Sequence, residues 1–347
     1  MNILAIDTSC DETAVAVTSG RRVLSNVIYS QIQIHKQWGG VVPSLAKRAH
    51  EERIDEVVAL ARKRFRLFGG SIDAVAVTQG PGLAIALEVG IKKAQVLAEE
   101  LHVPLIAVNH LEGHLYSVFA ENSKGNPSRQ MQFPYLAMII SGGHTEFVIW
   151  KDHLTYEIIG ETLDDAAGEA LDKAGKLLGL GYPAGAVIER LAEEVDNRDL
   201  YGFPRPMTKG KDLQFSFSGL KTAFYYHLQK MDAKDKTLHL RELASSFQEA
   251  VFDTICIKVE HAIQQTGIST LVIGGGVAAN RYLRKRLRSV VKTHNGSVFF
   301  PTYPYLTGDN AAMIGIAASY YAAAHRFAVD IDRVPRMQLG FNLKIAK

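Results

Sequence analysis

The sequence predicts an α/β fold of two lobes built on a duplicated core. Three observations carry this. A strand–polar tip–strand unit at Asn2–Val17 returns about 130 residues later at Leu136–Trp150, as a repeated supersecondary unit would. Short apolar runs that read as buried strands alternate with helix-length amphipathic stretches. The chain has 347 residues, 47% of them hydrophobic, which supplies a substantial core and suggests two domains or lobes. The lobes are expected at residues 1–126 with 311–347, and at 127–310.

In the first unit Ile3-Leu4-Ala5-Ile6 is the outgoing strand, Asp7 to Thr13 the tip, and Ala14-Val15-Ala16-Val17 the return. The tip carries Asp11 and Glu12 among hydroxyls, a set able to hold phosphate, water or a cation, although Asp, Ser and Thr also favour ordinary turns. Leu24 to Tyr29 reads as a third strand. Gly39 to Pro43 is a turn into a helix from about Ser44 to Phe65, basic towards its end (Arg62, Lys63, Arg64, Arg66). Asp73 to Thr78 is a buried strand, and Gln79-Gly80-Pro81-Gly82-Leu83 turns into a helix running to Leu101. No Gly-Lys-Ser/Thr follows, so this is no phosphate loop of the P-loop kind.

Leu105 to Val108 is a strand, Asn109 an N-cap, and His110-Leu111-Glu112-Gly113-His114 the first turn and more of a helix. Residues i and i+4 share a face, so His110 and His114 can point at one cation. Two solvent-facing histidines at helical spacing would look the same. A zinc protease needs Glu directly after the first His, and Leu111 stands there. Glu112 lies roughly 200° round the helix from His110 at ~100° per residue, away from the imidazole face.

Glu121 to Gln132 is polar and reads as an inter-lobe linker. In the second unit Leu136 to Ile140 leads to the tip Ser141-Gly142-Gly143-His144-Thr145, whose glycines allow a ligand close to the main chain. Two such tips facing across a cleft would clamp a nucleotide. Thr162 with Asp165 fits a capping box for a helix presenting Asp165, Glu169, Asp172 and Lys176 on nearly one face. Tyr182 to Gly185 turns into a helix over 186–195. Phe215 and Phe217 are either base-stacking residues or, as for most phenylalanines, core. A long amphipathic helix spans 240–265. The strand Thr270 to Ile273 then runs into Gly274-Gly275-Gly276 and Asn280, a place for a nucleoside against the main chain. The next helix holds Arg281, Arg284, Lys285, Arg286, Arg288 and Lys292, the densest basic cluster and a candidate phosphate-backbone contact, or a solvated face. Asp309 sits in a turn before an alanine-rich helix, where it can cap or bind a cation.

The 39 basic and 36 acidic side chains give +3, which neither requires nor excludes nucleic acid. Two distant cysteines, Cys10 and Cys256, form no disulfide framework or zinc ribbon and fit a reducing cytoplasm. The N-terminus has no basic n-region and meets Asp7 at once, unlike a signal peptide. No apolar run approaches the ~20 residues that cross a bilayer, so no membrane is expected.

Five stretches in this order resemble the TsaD family, the threonylcarbamoyl transferases of tRNA once described as glycoprotein endopeptidases. They are Asp7 to Thr13, Asn109 to His114, Ser141 to Thr145, Gly275 to Asn280, and Gly308-Asp309-Asn310. The resemblance spans nearly the whole chain. It implies an actin/hexokinase-like (ASKHA) fold, a duplicated ribonuclease-H-like unit in two lobes around a central cleft. It implies one divalent metal, Fe2+ or Zn2+, on His110, His114 and Asp309. It also implies transfer of threonylcarbamoyl from threonylcarbamoyl-AMP to N6 of the adenosine just 3′ of the anticodon in tRNAs reading codons that start with A, giving t6A. Carried over by position, the adenylate meets Ile139, Ile140, Ser141, Gly142, Gly143, Asp172, Gly185, Glu189 and Asn280. Asp11 or Glu12 would orient the amine or take its proton. His144 and Ile139 look like the bacterial branch, whose members work with an inactive paralogue, TsaB, and an ATPase, TsaE. Tyr182-Pro183-Ala184-Gly185-Ala186 departs from the usual Tyr-Pro-Gly-Gly-Pro, and Glu189 stands where Asp is common. Ser44 stands where Glu is usual, and the Gly82 turn lacks its usual Val-Gly. The rival readings are a small-molecule kinase of the same fold and a non-catalytic scaffold like the paralogue. A kinase has no need of the histidine pair, and a scaffold none of the retained histidines, Asp309 and glycines.

Overall fold

A computed structural model describes residues 1–340 apart from Val329, so the end of the expected first lobe, 341–347, lies outside the described residues. The first sheet has strands β1 (Asn2–Asp7), β2 (Glu12–Ser19), β3 (Arg22–Ser30), β4 (Ala74–Gly80) and β5 (Leu105–Asn109). The second has β6 (Tyr135–Ile140), β7 (Thr145–Asp152), β8 (Thr155–Glu161), β9 (Thr270–Gly274) and β10 (Ser297–Phe299). Their orders are β3-β2-β1-β4-β5 and β8-β7-β6-β9-β10. In each, the first three strands in sequence form an antiparallel meander, and two parallel strands are added beside the first. The same topology twice is the expected duplication.

The helices are α1 (Ile32–His35), α2 (Pro43–Phe65), α3 (Ala84–Leu101), α4 (His110–Tyr116), α5 (Ala167–Leu177), α6 (Gly185–Glu193), α7 (Ser218–Gln229), α8 (Ala233–Leu238), α9 (Leu240–Thr266), α10 (Arg281–Thr293) and α11 (Ala311–Ala323). Side chains alternate across a strand, so each sheet feeds two cores. Leu4 and Ile6 pack with α2 and α3, while Ile3 and Ala5 pack with α4 and α11. In the second sheet Leu136, Met138 and Ile140 meet α5, α6, α7, α9 and α10, while Tyr135, Ala137 and Ile139 return to the α4–α11 layer. The inner strands are thus covered on both faces and are continuous apolar runs, while the outer β3 and β8 alternate. The layer shared by the two sheets is α4 with α11, and all seven residues of α4 are buried.

Two expectations change. The Thr162–Asp165 capping box is absent: Thr162 Oγ1 donates to the Asp165 carbonyl, and α5 starts later, after Ala166. The second tip caps it instead. The Ala167 N–H donates to Thr145 Oγ1 (2.9 Å) and the Gly168 N–H to the Ser141 carbonyl (3.2 Å). A Cβ on Gly168 would stand 2.6 Å from that carbonyl oxygen, so only glycine lets α5 start against the tip. Asp165, outside the helix, clamps Lys173 (2.6 Å) and Lys221 (2.9 Å). The basic helix after β9 is also not a free cationic face. Arg286 bridges Glu249 (2.9 Å) and Asp253, and Arg284 and Arg288 lie over the Phe300 ring. Phe215 and Phe217 take the core alternative and are fully buried.

Candidate active site

The strand-to-helix junction β5–α4 builds the centre. Asn109 Oδ1 accepts the Leu111 N–H (2.8 Å), and Asn109 Nδ2 donates to the Gln338 carbonyl (2.8 Å), so the cap is tied to the distant chain. His110 and His114 then share one helix face with their rings edge-to-face, centroids 4.7 Å apart. Asp309 arrives from the turn before α11, where Asn310, not Asp309, caps the helix by accepting the Met313 N–H. Asp309 Oδ1 lies 3.4 Å from His110 Nε2 and 3.3 Å from His114 Nε2. One donor atom from each of the three residues falls within 4.8 Å of the others.

The donor set fits a divalent metal. Bonds of about 2.0–2.2 Å to nitrogen and oxygen put neighbouring ligand atoms about 3–3.5 Å apart, the spacing of Asp309 from each imidazole. His114 Nδ1 and Nε2, His110 Nδ1 and Asp7 Oδ2 are buried without a hydrogen-bond partner among the described residues. Such orphaned polar atoms are costly unless something else satisfies them. Asp7, wholly buried at the end of β1, lies 3.6 Å from His110 Nδ1 and stands where an outer carboxylate orients a ligating imidazole. Burial disfavours charge on His110, but Asp309 and Asp7 outweigh it and hold the imidazole up at about 10. Burial lowers His114, and Asp309 is kept ionised by His110 despite its own burial.

Glu112 faces the other way, towards Tyr321 and Tyr156, and burial raises its carboxyl to about 7. The protease geometry is not present.

His110 and Asp309 open on a cleft of about 680 Å³ between the lobes, with His114 buried behind them. Ser9, Cys10 and Asp11 of the first tip form one wall, Ser141 to His144 of the second tip the other. Between β2 and α2, His50 fastens the first tip. Its Nε2 donates to the Cys10 carbonyl (3.1 Å), so Nδ1 accepts from Thr13 Oγ1 (2.7 Å). Asp11 lines the cleft, whereas Glu12 is set back with the Ser30 hydroxyl on Oε1. Burial, then the Asp11 charge, pushes the Glu12 carboxyl up to about 10 and keeps it neutral. In the second tip Ser141 Oγ accepts the Gly143 and His144 N–H groups, which holds the turn tight. His144 is neutral, lowered to about 4 by burial and then by His110 and His114.

The expected adenylate contacts divide. Ser141, Gly142, Gly143 and Asp172 line the cleft. Ile139 and Ile140 are fully buried, so only their main chain can be offered. Gly185 begins α6, whose preceding Ala184 N–H donates to Asp172 Oδ1 (2.7 Å). Glu189 Oε1 accepts the Arg281 N–H (2.7 Å). Asn280 Oδ1 accepts the Leu283 N–H (2.9 Å), and its Nδ2 donates to Gln248 Oε1 (3.0 Å). Both thus brace the start of α10, while Gly276, just before it, reaches the cleft. The sequence reading did not single out Asp7 as a partner of His110, or Tyr182, Lys173 and Lys176 as cleft residues. Asp7 was in the first tip, but nothing in its spacing ties it to a residue a hundred positions on.

Among the described residues no helix is long and apolar enough to cross a membrane. In fold, the chain is similar to HypF solved in a phosphate- and nucleotide-bound form, at a TM-score of 0.58 and 14% identity over 93% of this chain and 55% of that one. HypF of T. kodakarensis gives 0.55 at 14% identity, over 92% of this chain and 47% of that one. This chain thus spans about half the length of either HypF. The likeness is one of fold, and with the duplicated sheets it bears out the actin/hexokinase-like expectation. In sequence, the chain is 47% identical over 324 residues to the tRNA N6-adenosine threonylcarbamoyltransferase of Syntrophotalea carbinolica, covering 93% of this chain and 92% of that protein. It is 45% identical over 341 residues to the protein of the same name from Anaeromyxobacter sp., covering 98% and 100%. The family model described as TsaD, tRNA N6-adenosine threonylcarbamoyltransferase, matches residues 22–316, and with these relatives it establishes that the chain belongs to the TsaD family.

Proposed function

We propose that the protein transfers threonylcarbamoyl from threonylcarbamoyl-AMP to N6 of the adenosine just 3′ of the anticodon, in tRNAs reading codons that start with A. The observation that carries this is the His110–His114–Asp309 cluster opening on a cleft walled by two hydroxyl- and glycine-rich tips. His110, His114 and Asp309 are its metal ligands. When bound, iron or zinc there supplies electrostatic stabilisation to charge developing on the carbonyl and phosphate oxygens.

The remaining chemistry falls to the chain. The Gly142–His144 main chain, Asp172 and the main chain at Ile139, Ile140 and Gly276 seat the adenylate, with Gly185, Glu189 and Asn280 bracing the nucleoside side. The N6 lone pair attacks the carbamoyl carbon, the bond from that carbon to the phosphate oxygen breaks, and AMP leaves with the electron pair. The proton lost from N6 goes to Asp11. Glu12 stands behind it with the Ser30 hydroxyl on Oε1 and orients Asp11. Asp11→Asn with unchanged turnover would remove this role.

The lobes are taken as 1–126 with 311–347 and 127–310, supported by α11 packing on the first sheet. The reaction partners are tRNA, a TsaB-like paralogue and a TsaE-like ATPase, and the setting is the cytoplasm. The test is reconstitution with threonylcarbamoyl-AMP and unmodified tRNA, with and without those partners, reading nucleosides by mass spectrometry. Formation of t6A supports the proposal. Phosphorylation of small alcohols without t6A would make the protein a kinase of the same fold, and neither product under any combination would make it a scaffold.

A further inference from the structure

Beside the cleft, α5 and α7 enclose a second hollow of about 390 Å³. Lys173, Lys176 and Leu177 line it from α5, and Lys221, Tyr225 and Tyr226 from α7. Lys173 and Lys176 also line the cleft, so the hollow continues the site outwards along one helix. Tyr225 is 43% exposed and Tyr226 61%, large rings that pack into no core. Lys221 and Tyr225 lie one helical turn apart, and so do Thr222 and Tyr226, which puts cation and ring side by side. Asp165 pairs with Lys173 and Lys221, and Glu169 also takes Lys173 (2.8 Å), while Lys176 remains exposed.

A neighbouring hollow, whose Asp164 accepts from Ser218 at the start of α7, differs. The hollow of about 440 Å³ beyond His144 is lined by Glu146, Glu161 and Asp164 against one cation, Arg336. A polyanion is repelled there and drawn to the lysine side. The two basic clusters prominent in the sequence serve less well. Arg62 to Arg66 end a helix of 23 residues, about 30 Å from its cleft-side start at 1.5 Å per residue. Arg284, Arg286 and Arg288 are committed to Phe300, Glu249 and Asp253.

We infer that the α5–α7 hollow seats the single-stranded nucleotides flanking the acceptor adenosine, with bases on Tyr225 and Tyr226 and a phosphate at Lys176. Exposed rings interleaved with lysines suit unpaired RNA, whose bases can splay and stack. The inference rests on the transferase reading above and adds the surface by which the tRNA loop is held.

The test uses the full chain with its partners and an unmodified anticodon stem–loop, read by fluorescence anisotropy and by t6A formation. Tyr225→Ala with Tyr226→Ala is expected to weaken stem–loop binding about 30-fold or more, about fivefold or more for each stacked base lost. The pair raises KM for tRNA more than it changes kcat. Tyr225→Phe with Tyr226→Phe, which keeps the rings, stays within about twofold. Lys176→Glu weakens binding and reduces its salt dependence without touching the core. Wild-type binding by both the alanine pair and Lys176→Glu would overturn the inference while leaving the transferase reading intact. So would loss of t6A caused by a lost partner protein at unchanged stem–loop affinity. A wild-type protein that neither binds nor modifies tRNA would instead overturn the transferase reading.

Discussion

Replacing Asp309 and Asp7 one at a time separates a metal ligand from a residue that orients one. Asp309→Ala deletes one of three donor atoms, the carboxylate oxygen 3.4 Å from His110 Nε2 and 3.3 Å from His114 Nε2. Asp7→Asn leaves all three donors. Asp7 Oδ1 accepts the Ser9 N–H at 3.2 Å, so an asparagine that keeps this bond turns its NH2 towards His110 Nδ1, 3.6 Å away. His110 Nε2 faces Asp309, so Nδ1 must carry the imidazole proton once a metal is bound, and the asparagine sets donor against donor. Loss of an outer partner typically weakens metal binding by about 10- to 100-fold, or about 1.4–2.7 kcal/mol at 25 °C. Loss of a ligand must cost more, roughly 1,000-fold or beyond. The assay is chelator competition for Zn2+ on purified protein, with bound metal counted by mass spectrometry and circular dichroism confirming the fold. The order expected is wild type, then Asp7→Asn, then Asp309→Ala. An Asp309→Ala protein that holds metal like the wild type would show that the cluster is not the metal centre. Equal affinity in Asp7→Asn and wild type would dismiss the outer role of Asp7.

Three further outcomes follow from burial and contact. Glu146 is 9% exposed, faces Glu161 across β7–β8, and its carboxyl is raised from 4.5 to about 7 by burial and then by Glu161. Its contribution to stability is therefore intact below pH 4.5 and lost as pH rises through about 7. Glu146→Gln should stabilise the protein relative to wild type by about 1–3 kcal/mol at pH 8 and far less at pH 4.5, read by urea unfolding. An equal difference at both values contradicts this. Arg286→Ala strands Glu249, which is 8% exposed, and should cost about 2–3 kcal/mol. The exposed Lys285→Ala on the same helix stays within about 0.5 kcal/mol, and equal effects in denaturant titrations would dismiss the ion-pair role. Gly275 has φ +97°, and a Cβ there would lie 2.4 Å from the Ile140 carbonyl oxygen. Gly275→Ala should cost about 1–3 kcal/mol in thermal unfolding, and an unchanged melting temperature would contradict the close approach.

What the sequence made legible is what is local. The duplicated meanders showed because every inner strand is covered on both faces, so its apolar run has no polar interruptions to blur it. The histidine pair showed because four residues is one helical turn. Asp309 is nearly two hundred positions away, and only the family resemblance tied it to that pair. The helix at Ala167 began later than its sequence suggested, because Thr145 and Ser141, not a local Thr162–Asp165 pair, take up its first N–H groups. The same limit hid Asp7 and overstated α10. Spacing displays six cations on one helix but not the carboxylates of α9 and the Phe300 ring that three of them meet.

Charge pattern therefore misleads most where charges are most frequent, and the sparser signal of exposed rings carries more. A run of arginines is compatible with an ion-pair lattice, and here the lattice absorbs it. Tyr225 and Tyr226 have no such use: burying either would release apolar area from water, and the fold leaves both out. A side chain the core could have used, left standing beside the exposed Lys176, asks for a ligand that offers flat apolar faces and negative charge together. Unpaired nucleotides are that ligand. The hollow beyond His144, with Glu161 and Asp164 against Arg336, is less suited to a polyanion. On the inference drawn above, the nucleic acid therefore approaches over α5 and α7 with its adenosine directed towards the histidine pair.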